Sequence, residues 1–289
     1  MSVFHCINGK IVAETDAVIS ALDLGLLRGY GVFDYAQCYN GRPFHLRAHI
    51  ERLMRSAIAV ELNIEMSIDE IENLAWDVIK RNAPIDAGIR FVITGGLSHD
   101  LLLPSGSASF YILFHPCLSM QASEAPLGVR AITTPVFRYL PNVKTTNYMP
   151  AIFARKKALK LGAYDALYLD LSQGIIEGTT CNVFFVKNGT LITDDSNELI
   201  KGITRELLLN IGKDHYPIEY RALHINEISS CQEAFLTSSV KDLVPLVQID
   251  DHIVGNGTPG AITAHLRALY HLYIENYLTS KQYLQEITA

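Results

Sequence analysis

Apolar side chains recur at helical spacing between His45 and Leu62, at Leu46, Ile50, Leu53 and Ala57. Ser67 to Arg81 repeats the pattern behind a Ser67-x-x-Glu70 capping box, so both stretches predict amphipathic helices. Around them the pattern changes. Val32 to Tyr39, Gly88 to Thr94 and Ala108 to Phe114 read as strands, rich in aromatic and β-branched residues. Asn8-Gly9, Asn40-Gly41 and Asn188-Gly189 each separate apolar runs and predict hairpins, because Asn and Gly tolerate positive φ. Ala17 to Gly31 is Leu-rich but punctuated by Gly25, Gly29 and Gly31, which suits a structured loop better than a helix. The first half is therefore α+β.

From Leu118 to Leu127 the composition turns to Ser, Gln, Ala, Glu and Pro without periodicity. This predicts a linker at residues 118–127 between a small domain (1–117) and a larger one (128–289). The larger domain is expected to carry strand Gly128 to Thr133, a helix from about Met149 to Leu161, strand Ala166 to Asp170 and a hairpin from Ile175 to Thr193. Helices Thr204 to Ile211 and Ile225 to Ser230, strand Glu233 to Thr237, a hairpin at Asp250 and Asp251, and a long helix from Gly260 to Leu278 follow.

Hydrophobic residues make up 49% of the 289 and charged residues 19%, which excludes a disordered chain. The net charge is −6 and no basic run occurs, so nucleic acid is not an expected partner. Five scattered cysteines without a C-x-x-C read as reduced, buried thiols and imply a cytoplasmic address. No basic-then-apolar leader and no stretch of about 18 apolar residues is present, so neither secretion nor a membrane span is expected.

His45 and His49 share a helical face, but the intervening residues lack the Glu of a zinc hydrolase motif and no third ligand is evident; no metal site is expected. Nucleotide-binding glycine motifs and a G-x-S-x-G elbow are missing. A phosphate-cradle pattern remains at Lys201-Gly202-Ile203-Thr204, where the amides of Ile203 and Thr204 and the Thr204 hydroxyl open a helix and can converge on an anion; a plain helix start reads the same way. Thr237-Ser238-Ser239 ends a strand with hydroxyl residues, as an anion contact or merely a turn. Lys144 lies in an apolar, turn-rich approach to a helix. Less polar surroundings disfavour an ammonium, which makes a lysine there a candidate Schiff-base amine.

Read together, Glu177-Gly-Thr-Thr-Cys-Asn182-Val-Phe184, Leu191-Ile-Thr193 and Ile200-Lys-Gly202-Ile203-Thr-Arg205 resemble the signature of class IV aminotransferases, the fold type IV pyridoxal-phosphate enzymes. Gly31-Val-Phe-Asp34, His49-Ile-Glu-Arg52-Leu53 and Lys144-Thr-Thr-Asn-Tyr148 fall in family order, so the resemblance extends over nearly the whole chain. It implies a small α+β domain and a larger pseudo-barrel α/β domain carrying Lys144 and Glu177, and a homodimer. It also implies pyridoxal 5′-phosphate held by Lys144 as a Schiff base, with Lys144 then moving the proton at Cα. Glu177 would pair with the ring nitrogen and Tyr148 with the ring oxygen. Arg52, the Ile203 and Thr204 amides and Ser239 would take the phosphate.

The reaction is less plainly written. Branched-chain enzymes carry Phe-Glu-Gly-x-Arg where this chain has Phe33-Asp34-Tyr35-Ala36-Gln37, although Arg90 matches an arginine of their carboxylate site. The loop Thr94-Gly-Gly-Leu-Ser-His99-Asp100 lacks the arginine of well-known D-amino acid transaminases. Arg28, in a loop that this family extends toward the partner subunit, and Arg90 match the two carboxylates of glutamate or 2-oxoglutarate, with Tyr30 and Tyr35 as further candidate substrate-binding residues. The expectation is a variant D-amino acid transaminase. A branched-chain aminotransferase is the alternative, followed by aminodeoxychorismate lyase, an (R)-amine transaminase, or an inactive binder of phosphate ligands.

Overall fold

In the computed structural model, which describes residues 2–116 and 127–280, the chain divides into two units. The first holds residues 2–116 together with Val143–Asn147, and the second holds 127–142 together with 148–280. Apart from Leu127, the expected linker lies outside the described residues.

The first unit is a six-stranded antiparallel sheet in the order β2-β1-β6-β5-β3-β4. Its strands are β1 (Phe4–Ile7), β2 (Lys10–Ala13), β3 (Gly31–Tyr39), β4 (Arg42–Pro43), β5 (Ala87–Thr94) and β6 (Ser109–Pro116). Asn8-Gly9 and Asn40-Gly41 take positive φ at both residues, as does Asn188-Gly189 in the second unit, so all three hairpin turns match the twist of their strands. Helices α1 (Leu24–Arg28), α2 (Leu46–Ala59) and α3 (Ile68–Arg81) complete the unit. α3 starts at the reciprocal Ser67–Glu70 capping box. Ile50, Leu53 and Ala57 of α2, Ile71, Ala75 and Val78 of α3, and Ile89, Phe91 and Ile93 of β5 are fully enclosed. The period of two along β5 therefore leaves Arg90 on the opposite face of the strand from Ile89 and Phe91.

Two sequence expectations change here. The stretch Ala17 to Gly31 contains a helix after all: Asp23 caps α1 by accepting the Gly25 N–H at 2.7 Å, and Gly29 ends it in the left-handed region. Asp23 also accepts from Thr94 (2.8 Å) and Tyr111 (3.0 Å), and these long-range contacts make so short a helix persist. More consequentially, Lys144 is not built into the second unit. The Phe33 N–H donates to the Lys144 carbonyl and the Thr146 N–H to that of Gly31, both at 2.9 Å, so Val143–Asn147 covers the start of β3.

The second unit is a ten-stranded mixed sheet whose main path runs β12-β11-β10-β14-β15-β7-β8-β9-β13. The strands are β7 (Val129–Pro135), β8 (Asp165–Leu169), β9 (Gly174–Gly178), β10 (Asn182–Lys187), β11 (Thr190–Thr193), β12 (Ile218–Tyr220), β13 (Leu223–His224), β14 (Glu233–Ser238), β15 (Asp242–Ile249) and β16 (His252–Ile253). β9 also pairs with β10 through Glu177 and Asn182, which closes β10-β14-β15-β7-β8-β9 into a pseudo-barrel. What reads as one hairpin from Ile175 to Thr193 is thus three strands, the first two meeting at that seam. Leu167, Val183, Phe185, Leu236, Val244 and Leu246 belong to its apolar core. α4 (Met149–Lys160) packs on β7 and β8; α5 (Ile203–Gly212) and α6 (Ala261–Thr279) pack on β14 and on each other. No helix among the described residues is long and apolar enough to cross a membrane.

Candidate active site

In the first unit, alternation along β3 sends Phe33 and Tyr35 to one face and Val32, Asp34 and Ala36 to the other. Arg90 lies opposite Tyr35 in the β3–β5 register, with its guanidinium carbon 5.2 Å from the Phe33 ring centre and 6.0 Å from that of Tyr35. The Lys144 ammonium sits 4.6 Å from the same Phe33 ring. Beyond its carbonyl bond to Phe33, Lys144 donates its backbone N–H to Ser56 Oγ at 3.4 Å. One aromatic ring thus carries both a fixed lysine and an arginine.

On the other face Asp34 is wholly buried. It accepts from Nε and Nη2 of Arg52 at 2.8 Å each and contacts Nδ1 of His49 at 2.7 Å. Arg52 and His49 come from one face of α2, three residues apart. Burial alone would raise the Asp34 carboxyl, yet the charge of Arg52 and the bond to His49 hold it well below the usual carboxylate range. His49 moves down because burial disfavours its charged form, against the pull of Asp34 and with the charges of Arg52 and Lys144. A buried anion therefore fixes the orientation of Arg52.

In the second unit the barrel seam supplies the counterpart. Glu177 is buried at the β9–β10 closure, is paired with the Arg138 guanidinium, and accepts the Ile200 N–H at 3.3 Å. Asn182, across the seam, donates to the Ile200 carbonyl at 2.8 Å. These two side chains hold the 200–202 strap that leads into α5. A Cβ at Gly202 would come within 2.3 Å of Asn182 Oδ1, so only glycine passes there. No side chain caps α5, leaving its first amides, those of Ile203 and Thr204, to meet an anion. Thr204 is buried at that helix start, and its side chain lies within electrostatic reach of the Tyr270 phenol. Thr237 Oγ1 is buried without a hydrogen-bond partner among the described residues, and Ser239 follows it in a half-exposed turn.

Tyr148 caps α4 and, with Ala151, Arg155, Thr179, Thr180 and Lys241, lines a cavity of about 340 Å³ in this unit. Beneath it the enclosed Asp165 accepts from Lys241 Nζ at 3.1 Å and from Thr179, and forms an ion pair with Arg155 Nη1 at 3.3 Å. Burial would raise its carboxyl, but Lys241 and these partners depress it. Asp165, Lys241 and the Arg138–Glu177 pair carry no signal in the sequence, since the partners lie 76 and 39 residues apart.

The remaining substrate candidates differ in their surroundings. Tyr35 shares Arg90's face and donates to Gln37 at 3.0 Å. Tyr30 is committed elsewhere, donating to the Val60 carbonyl at 2.6 Å. Arg28 is exposed at the end of α1, with Nη1 on the Leu27 carbonyl at 2.9 Å; nothing in the first unit brings it to Arg90.

The family model of amino-transferase class IV matches residues 31–249. A Methanocaldococcus jannaschii protein provisionally named branched-chain-amino-acid aminotransferase is 33% identical over 268 residues, covering 90% of this chain and 93% of its own. The D-alanine aminotransferase of Staphylococcus epidermidis is 29% identical over 276 residues, covering 94% and 98%. In structure, a T.th. branched-chain amino acid aminotransferase with pyridoxamine 5′-phosphate superimposes with a TM-score of 0.87 at 26% identity, covering 98% and 97%. Class IV aminotransferases use pyridoxal 5′-phosphate, and the chemistry above fits that group. The first unit offers a fixed lysine and an oriented arginine. The second offers a buried carboxylate for a ring nitrogen, and, for a phosphate, an uncapped helix start and a buried hydroxyl with no partner among the described residues. On the family match, the pseudo-barrel and these residues, the chain belongs to the class IV aminotransferases, with the fold type IV architecture.

Proposed function

We propose that this chain transfers amino groups between D-amino acids, such as D-glutamate or D-alanine, and a 2-oxo acid such as 2-oxoglutarate. The observation that carries transamination of an amino acid, of either hand, is Arg90, which shares the Phe33 ring with Lys144 and so offers a carboxylate anchor in the same unit as the amine. The similarity to a D-alanine aminotransferase along 94% of the chain supports the D series, and Phe33-Asp34-Tyr35-Ala36-Gln37, where branched-chain enzymes carry Phe-Glu-Gly-x-Arg, argues against the branched-chain site.

When bound, pyridoxal phosphate supplies the electron sink for a carbanion at the substrate's Cα. In the first unit, Lys144 would hold the cofactor and carry the Cα proton on its amine, and Arg52, oriented by Asp34, would take the phosphate. Arg90 grips the substrate carboxylate. In the second unit, Glu177, paired with Arg138, would meet the ring nitrogen's proton. Tyr148 donates to the ring oxygen, and the amides of Ile203 and Thr204 with the hydroxyls of Ser239 and Thr237 complete the phosphate contacts. Arg28, exposed on α1, is assigned to a second carboxylate in the partner's site of a homodimer.

The test is a set of single-turnover rates for matched D- and L-amino acids, read from the visible absorbance of the loaded enzyme. D-Glutamate and D-alanine should react faster than L-leucine; the reverse order overturns the D reading. A second reading, a branched-chain L-amino acid aminotransferase, is favoured by the 33% identical Methanocaldococcus relative, and the same rates decide between them.

A further inference from the structure

Ser238 on β14 lies opposite Asp242 on β15, so Ser239, Val240 and Lys241 connect the two strands. A hairpin of this length commonly closes on a left-handed residue, a place that glycine fills most readily. Here Asp242 fills it, at φ 60°. Its carboxylate goes to α6. Arg267 Nε donates to Asp242 Oδ2 at 3.3 Å, and Nε2 of His271, one helical turn further, pairs with the same oxygen. The adjacent Lys241 is tied elsewhere, to Asp165 and Thr180 at 3.1 Å each, and its N–H donates to Ser238 Oγ at 3.1 Å. Two neighbouring residues thus hold the turn from different sides.

α6 is itself fixed on this hairpin. Glu233, the first residue of β14, accepts the N–H groups of Ile262 and Thr263 at 2.9 and 2.7 Å, and Thr263, Leu266 and Tyr270 form the buried stripe of the helix. Tyr270 lies within electrostatic reach of Thr204 at the start of α5. Residues 267–271 therefore support both second-unit segments to which phosphate contacts are assigned. The ion pairs of Asp242 are partly exposed and add little to stability; their effect is to restrict where the turn can lie.

We propose that Asp242, held by Arg267 and His271, is a positioning residue that fixes the Ser239–Lys241 turn for the phosphate of pyridoxal phosphate. A short serine side chain reaches an anion only if its backbone is held in place. The inference rests on the phosphate contact assigned above to Ser239, and not on which amino acid is the donor.

The experiment uses Asp242→Gly. Glycine adopts φ 60° without strain, so the turn keeps its shape and loses only its tether. Stripped of cofactor, the variant should melt within about 2 °C of stripped wild type. Its dissociation constant for pyridoxal phosphate should rise about 5- to 10-fold, while unphosphorylated pyridoxal binds as to wild type. The double variant Arg267→Ala/His271→Ala, which keeps Asp242, should show the same phosphate-selective loss. Unchanged affinity for the phosphate ester in both variants overturns the proposal. So does an equal loss for both ligands, which would make the tether an element of the fold alone. Ser239→Ala separates the inference from the reading beneath it. Phosphate-selective loss in Ser239→Ala with none in Asp242→Gly overturns the tether alone, whereas no such loss in Ser239→Ala removes the turn from the phosphate site, and the tether's role with it.

Discussion

Asp34 and Arg52 form a two-pronged ion pair in which the carboxylate is wholly buried and the guanidinium retains 13% side-chain exposure. The acid is the fixed partner and the arginine the reaching one. Asp34→Asn leaves Arg52 unneutralised in a buried setting and should lower unfolding free energy by about 3 kcal/mol in urea titrations. If Arg52 binds phosphate, the variant should also lose affinity for pyridoxal phosphate while binding unphosphorylated pyridoxal as wild type does. Equal losses for both ligands would remove Arg52 from the phosphate site.

Gly202→Ala tests the strap. The added methyl would meet Asn182 Oδ1, and relief requires moving the residue that holds Ile200. A stability loss of about 1–3 kcal/mol is expected, with weakened phosphate-ester binding because the start of α5 shifts. Calorimetry with and without pyridoxal phosphate measures both.

The pH profile of stability should carry the signature of His45. Burial, with the neighbouring His49 acting in the same direction, lowers its pKa from 6.5 to about 4. The folded state therefore favours neutral imidazole. The stabilisation is complete above pH 6.5 and disappears as pH falls toward 4, amounting to at most about 3 kcal/mol. His49, also lowered by burial, adds to the same slope, whereas Asp34 and Asp165 contribute only below the ordinary carboxylate range. Unfolding of His45→Gln across pH 4–7 should be flatter than wild type; an identical slope would exclude His45 as a source.

Asp165 and Lys241 should behave as one unit. Each alone, as Asp165→Asn or Lys241→Met, leaves a charge in the enclosed space beside Cys181 and Thr179. The double variant should be less destabilised than the sum of the singles by about 1–3 kcal/mol. Additive losses would show that Arg155 alone neutralises the acid.

Much of the fold is legible in the sequence because the signals are local. The Asn-Gly turns, the Ser67–Glu70 box and the two helices that follow Phe44 are written in neighbouring residues. The motif around Glu177, Asn182 and Gly202 identifies the family, and the structure supplies its reason: two residues across a strand seam fix a strap that exposes helix amides. What sequence does not show is partnership at distance. Nothing near Arg138 announces Glu177, and the helix at Leu24–Arg28 depends on Asp23 finding Thr94 and Tyr111.

The placement of Val143–Asn147 has a consequence for dissecting the protein. The five-residue segment carrying Lys144 belongs by its hydrogen bonds to the first unit, yet both flanking stretches of chain belong to the second. A gene cut at residues 118–127 would put this segment on one fragment and the backbone partners of Lys144 and Thr146, Phe33 and Gly31, on the other. Neither fragment alone would hold the amine in place. Such halves should recover a fixed lysine only on co-expression, through a staple threaded back into the smaller piece.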